Sequence, residues 1–381
     1  MNIRTFYWIL SFAILLSSCN SKMATLTNFA ETPYYEWNKI GLSDATFCSD
    51  SSEYYLMSKR GKTNNLIIHF AGGGACWDDE TCTTPIEFNL STAVKMGAYR
   101  KVTSYYIDKI PKGLPNFMKG VFDNDNPENP FQDWNIVFIP YCTGDIHIGN
   151  AVNEYSYEEQ SRQVFHNGQN NVQEALKWIQ QHFKNPNKIL LSGSSAGGFA
   201  SLFYSQSIAE TYNQSKVYQL ADCSYVYSGK WSQILDSTWQ VDWNETFGFE
   251  MKNDAVKEAY LNAPRNSNIT YLQINSLYDF VLTQFWAIAN EHSREDHEYI
   301  KNWSTQMTEM VAEIAQTDLD YRYFVTNYKF NDKRHDTPHT FLNRAYYKCE
   351  QNGVLLTEWL RQNVIEDKKS SVGKQFLSVN Y

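Results

Sequence analysis

The stretch KILLSGSSAGGFAS, residues 188 to 201, holds three serines in four positions between an apolar run and a run of small residues. A strand that turns sharply into a helix can hold one side chain proud of a sheet edge. It does so only if the residues two before and two after are small enough for the backbones to meet. Ser195 meets that condition, with Gly193 before it and Gly197 after it. Ser194 has Ser192 and Ala196 in those places and fits less well, and Ser192 lies within the strand. The chemistry this offers is nucleophilic acyl transfer from Ser195.

Such a serine needs donors for the oxyanion it creates. The first amides of a helix have no intrahelical acceptor and sit at the positive end of its dipole, so the amide of Ala196 is one candidate. A second is expected from a glycine loop after an earlier strand. HFAGGGACW supplies that loop, with Gly72, Gly73 and Gly74 directly after NLIIHF; Gly73 and Gly74 are the favoured donors.

It also needs a base and an acid, expected in the chain order nucleophile, acid, histidine. Four histidines follow Ser195: His292, His297, His335 and His339. The first two lie in the charged run ANEHSREDHEY and suit solvent. The other two share NDKRHDTPHTFLN, where His339, beside Thr340 and Phe341 at an expected helix start, is favoured over His335. For the acid, Asp279 at the end of a strand in TYLQINSLYDFVLTQF is favoured over Asp222 in LADCSY. There Asp279 can orient an imidazole and stabilise its protonated form, and it is equally placed to cap the next helix. Trp77, just past the glycines, and Asp145 and His147 in YCTGDIHIGN are candidates to line a substrate pocket. One Asp and one His two residues apart, with no third ligand, do not make a metal site.

These side chains need a frame to hold them. Short apolar runs rich in branched residues predict strands over 65–70, 134–141, 188–193, 217–224, 270–276 and 321–327. Between them, the patterns predict helices over 158–184, 197–210, 282–316 and 340–363. The alternation means a doubly wound, mostly parallel α/β sheet with helices on both faces, whose active site opens at the carboxyl ends of the strands. Residues 83–131 and 228–265 break the rhythm and are expected to be insertions over the sheet edge that wall or cover the site.

The chain has 381 residues, 43% hydrophobic and 20% charged, with no repeat and no low-complexity linker, so one elaborated domain is expected over 36–381. A net charge of −9 without a basic block gives phosphate-backbone binding no electrostatic basis and excludes nucleic acid as a partner. A monomer is expected. Residues 1–18 place Arg4 before an apolar stretch too brief to span a bilayer, the pattern of an export signal. Leu16-Ser17-Ser18-Cys19 resembles a bacterial lipobox. Cys19 would then be the acylated first residue of an exported lipoprotein, anchored to a membrane facing the periplasm or cell surface, with 19–35 a polar tether. Setting Cys19 aside leaves Cys48, Cys76, Cys82, Cys142, Cys223 and Cys349. In an exported chain they suggest up to three disulfides among 15 possible pairings, with Cys76 and Cys82 near enough to close a short loop. Neither C-x-x-C nor H-E-x-x-H occurs, so zinc is not expected.

Four stretches, FAGGGACWDDETC, NPFQDWNIVFIPYCTGD, GSSAGGFAS and INSLYD, together resemble the pectin acetylesterase / Notum carboxylesterase family in a bacterial form, over most of residues 48 to 345. The resemblance implies an α/β-hydrolase fold and a triad of Ser195, Asp279 and His339. It also implies an oxyanion hole from Gly72 to Gly74 with Ala196, and no cofactor. The reaction implied is hydrolysis of O-acyl esters through an acyl-enzyme, foremost acetyl groups on a polysaccharide such as pectin. Esterase action on longer acyl chains, as in the Notum branch, is the alternative, and a non-catalytic surface binding lipoprotein is a third reading. The sequence departs from the plant and animal pattern in three places. Trp77 comes beyond the cysteine, Tyr141-Cys142-Thr143-Gly144 stands for Tyr-Cys-Asp-Gly, and TPHTF has no neighbouring cysteine. These changes spare the chemistry and bear on the substrate.

Overall fold

The structure is a computed structural model describing residues 29–86, 102–249, 251, 253–265 and 268–377. Ten strands matter here, in chain order: β1 (Trp37–Gly41), β2 (Tyr55–Lys59), β3 (Leu66–Phe70), β4 (Asn135–Ile139), β5 (Ala151–Tyr157), β6 (Gln160–His166), β7 (Lys188–Ser194), β8 (Lys216–Asp222), β9 (Ile269–Ser276) and β10 (Tyr321–Thr326). Eight of them form one sheet in the order β1-β2-β4-β3-β7-β8-β9-β10, and β5 and β6 pair separately. From β4 to β10 every pairing is parallel, while β1 and β2 add an antiparallel edge. This is the mostly parallel α/β architecture that the alternating runs predict. Every residue of β3 and β9 is buried, which is why these strands read as apolar throughout rather than alternating.

The register decides what meets at the carboxyl edge. Ser194 lies beside Asp222, and Asp222 beside Ile274, two residues before β9 ends at Ser276. The turns after β7, β8 and β9 therefore open onto one shared rim. Helices then return over the sheet. Glu298–Ala315 buries Ile300, Trp303, Met307, Met310, Val311 and Ile314 at helical spacing against the core.

Several expectations are corrected. The helix expected over 158–184 begins at Gly168, because Gln160–His166 is β6, turned back on β5 at Glu158 with a φ of 53°. The helix expected over 282–316 is two, Leu282–Ala289 and Glu298–Ala315. Of the helix expected over 340–363, only Leu356–Leu360 is α-helical, continued by a π turn; the chain after His339 runs as irregular turns. Phe29, expected in a tether, is buried between the rings of Trp178 and Phe183. Cys19 and the export signal lie outside the described residues, as do 87–101 of the first insertion. Two disulfides form among the described residues, Cys48–Cys142 and Cys76–Cys82; Cys223 and Cys349 are buried and free. No helix among the described residues is long and apolar enough to cross a membrane.

Candidate active site

Ser195 sits between β7 and the helix Ala196–Phe203 with φ 55° and ψ −126°, a conformation a non-glycine residue adopts only under constraint. The constraint is close packing. A Cβ on Gly193 would lie 1.9 Å from the carbonyl oxygen of Gly197, and one on Gly197 2.0 Å from that of Phe70. The serine's carbonyl accepts the Gly198 amide at 2.8 Å and the Ser224 hydroxyl at 2.8 Å, and its amide donates to the Asp222 carbonyl at 2.8 Å. The elbow expected from GSSAGG is present, with Ser195 at its apex.

The glycine loop after β3 comes beside it. Gly74 has φ 80° and its α-carbon packs on the Tyr105 carbonyl, where a Cβ would approach to 1.8 Å. The loop is pinned from Tyr105 and Ile107, which bond to Ala75 and Gly73. Among the described residues, no acceptor takes the amides of Gly73, Gly74 or Ala196. Gly74, Ala196 and Ser195 line a common cavity of about 50 Å³. Gly73 is set back, its α-carbon against the Tyr141 ring.

The acid and the imidazole meet at the same rim. His339 Nδ1 lies 2.7 Å from Asp279 Oδ2, with the carboxylate fully buried and the imidazole 13% exposed. An ionised carboxylate can only accept, so Nδ1 carries the proton and Nε2 is left with its lone pair. The other oxygen of Asp279 accepts the amides of Val281 and Leu282, both at 2.9 Å, at the start of the following helix. Asp279 thus serves the helix start and the histidine at once. His335 is exposed at φ 53°, its ring against His297, and among the described residues it has no carboxylate partner of this kind. Asp222, the other acid considered, bonds to Ser194 and to main-chain amides instead of the imidazole.

Of the expected pocket residues, Trp77 lines the cavity. Asp145 and His147 do not; both are buried, and Ile146 between them reaches the cavity instead. Asp145 accepts from the Thr143 hydroxyl and from the amides of His147 and Gly168, and burial pushes its pKa up to about 6. His147 Nε2 bonds the Ala71 carbonyl at 2.8 Å, directly beneath the glycine loop, and burial lowers its pKa to about 4. A thiol also stands nearby. Cys223 Sγ, the Asp279 carboxylate and a ring nitrogen of His339 lie within 4.8 Å of one another. The acid and imidazole are spent on each other, and burial holds the thiol well above its ordinary pKa, so this is a poor ligand set.

A family model described as pectinacetylesterase matches residues 37–378. The chain belongs to the pectinacetylesterase family. Its curated relatives include palmitoleoyl-protein carboxylesterases and pectin acetylesterases. Palmitoleoyl-protein carboxylesterase notum2 of Xenopus laevis is 28% identical over 200 residues, covering 51% of this chain and 35% of that protein. Pectin acetylesterase 4 of Arabidopsis thaliana is 26% identical over 164 residues, covering 42% of this chain and 35% of that protein. Palmitoleoyl-protein carboxylesterase NOTUM of Homo sapiens is 26% identical over 240 residues, covering 58% and 44%. The chain spans between about a third and somewhat under half of the length of these three relatives.

Within this pectinacetylesterase-family fold, the second insertion supplies much of the cavity wall, through residues that the sequence did not single out. Trp231, Ile234 and Trp239 line the cavity with Phe199, Leu282 and Phe285. Trp239 Nε1 donates to the Cys76 carbonyl at 2.9 Å, tying the insertion to the glycine loop. The three tryptophans of 228–265 were the available signal, since a surface insertion with no need for a wall has little use for so many large apolar rings.

Proposed function

We propose that this chain is a serine carboxylesterase that cleaves short O-acyl esters, foremost acetyl groups on a polysaccharide such as pectin. Ser195 is the nucleophile, His339 the general base and Asp279 its orienting acid. The observation that carries this is the bond from His339 to Asp279 at one rim with a strained, cavity-lining Ser195. In the reaction His339 Nε2 takes the Ser195 proton as Oγ bonds to the ester carbon. The oxyanion rests on the amides of Ala196 and of the Gly73–Gly74 loop. The bond to the alkoxy oxygen then breaks, His339 protonates the departing alcohol, and water repeats the sequence on the acyl-enzyme to release the acid.

The cavity supports a short acyl group. At about 50 Å³ it is small and walled by the rings of Trp77, Trp231, Trp239 and Phe285. A long chain would need the aromatic walls to part. Long-chain cleavage is the second reading, favoured by the apolar lining and by the names of the Notum relatives. A series of p-nitrophenyl esters separates the two: a sharp optimum at acetate is expected, and a rise toward octanoate contradicts it. The intact set of nucleophile, base and acid speaks against a non-catalytic binding lipoprotein. Export and anchoring through Cys19 complete the proposal. Metabolic palmitate labelling, lost in Cys19→Ala, is the expected result, and no label on the wild type refutes it.

A further inference from the structure

Asp222 ends β8 with no exposed surface, yet its carboxylate makes bonds in two directions. Toward the elbow, Oδ2 accepts the Ser194 hydroxyl at 2.9 Å, while the main-chain carbonyl accepts the Ser195 amide at 2.8 Å. Toward the histidine loop, the carboxylate accepts the amide of Phe341 at 2.9 and 3.0 Å and that of Leu342 at 3.0 Å. We infer that Asp222 is a positioning residue for the esterase reaction proposed above, clamping the serine elbow to the histidine loop and so fixing the gap between Ser195 and His339.

The loop needs such a clamp because no helix or strand holds it. On the near side of His339 it is anchored to the acid's strand: Thr337 bridges to Asp279, and the Ser276 hydroxyl donates to the Pro338 carbonyl at 2.6 Å. That anchor fixes the imidazole against Asp279 but says nothing about its distance to the nucleophile. On the far side, two residues past His339, Asp222 supplies the missing connection to β7. A buried carboxylate is costly unless several donors satisfy it, and here two consecutive amides and a hydroxyl do so. Burial still pushes its pKa up, and those three donors pull it back.

The test uses Asp222→Ala, Asp222→Asn and Ser194→Ala, assayed on p-nitrophenyl acetate. The rate is expressed per site labelled to completion by a fluorophosphonate. A displaced base costs rate, so Asp222→Ala is expected to lower kcat about 100-fold with KM within about threefold. Asp222→Asn keeps an oxygen that can still accept from Ser194, Phe341 and Leu342, and is expected to recover kcat to within about tenfold of wild type. Ser194→Ala, losing one strut, is expected to cost about fivefold. A purely structural role would reduce the fraction of labelled sites and leave kcat per site unchanged; that result overturns the inference. If Asp222→Ala does not fold, an unchanged Ser194→Ala overturns it equally. Wild-type protein that takes no label at Ser195 overturns the esterase reading itself, and this inference with it.

Discussion

Asp279 with His339 and Asp145 with His147 are both acid and imidazole neighbours past the carboxyl ends of sheet strands, and they are wired differently. Asp279 gives one oxygen to main-chain amides and keeps the other for the His339 ring at 2.7 Å. Asp145 gives both oxygens to a hydroxyl and two amides, and the His147 ring turns away to the Ala71 carbonyl. His339 retains exposed surface, whereas His147 is sealed at 2%. The same residue types therefore do two jobs. An imidazole paired to a carboxylate near open space can shuttle a proton, while one bonded to a carbonyl inside the core is a strut, here beneath the glycine loop.

The largest effect should come from breaking the first pair. Asp279→Asn keeps the helix-start bonds but destroys the carboxylate that sets the His339 tautomer, so kcat is expected to fall about 10⁴-fold with little change in melting temperature. Asp145→Asn should act the other way round, costing about 1–3 kcal/mol of stability through an orphaned donor while the rate per folded molecule stays near wild type. Steady-state kinetics paired with denaturant melts read both; equal rate losses in the two variants would erase the distinction.

Next in size is the loop between the two pairs. Gly74→Ala places a Cβ 1.8 Å from the Tyr105 carbonyl at a residue with φ 80°, so the loop must shift and carry its amide away from Ser195. A loss of about 10²–10³ in kcat is expected, the usual cost of an oxyanion donor. A variant of wild-type activity would show that this amide takes no part.

The smallest effect is on stability and follows pH. Burial lowers the pKa of His69 to about 3 and those of His147 and His166 to about 4, below the ordinary value of 6.5. The unfolded chain therefore binds protons that the fold refuses as pH falls from about 6.5 toward 4, and stability present above that window is lost within it. Asp145, raised to about 6 from 3.8, opposes this, because the fold takes up its proton before the unfolded chain does. Asp222 and Asp254, also raised by burial, oppose it in the same way, so the loss is smaller than the roughly 4 kcal/mol per pH unit that three histidines alone would give. Urea melts at half-unit steps check the slope, and His147→Gln should reduce it by about one proton. A flat profile between pH 4.5 and 6 would contradict the buried, neutral assignment.

The serine elbow and glycine loop at the carboxyl edge were legible in the sequence because their signals are local. A strand run followed by G-x-S-x-G, or three glycines after NLIIHF, states its own geometry, and the six central strands are apolar because both their faces are covered. What escaped depends on distant partners. β1 is short and partly exposed, the β5–β6 hairpin is largely exposed and polar, and the hairpin turns at Glu158-Glu159 in place of a recognisable Asn-Gly. Residues after His339 carry a helical pattern, but Asp222, more than a hundred positions earlier, takes the amides of Phe341 and Leu342. Asp145 and His147 looked like pocket residues because strand-end polar groups often are; only packing shows that Ile146 faces the cavity in their stead.

The central claim is that the Ser195 hydroxyl is the nucleophile. Wild-type protein treated with a fluorophosphonate and digested for mass spectrometry should carry one adduct, on the peptide containing Ser195 and absent in Ser195→Ala. An adduct on another serine, or a folded protein that stays unlabelled while hydrolysing acetate esters, would contradict the account.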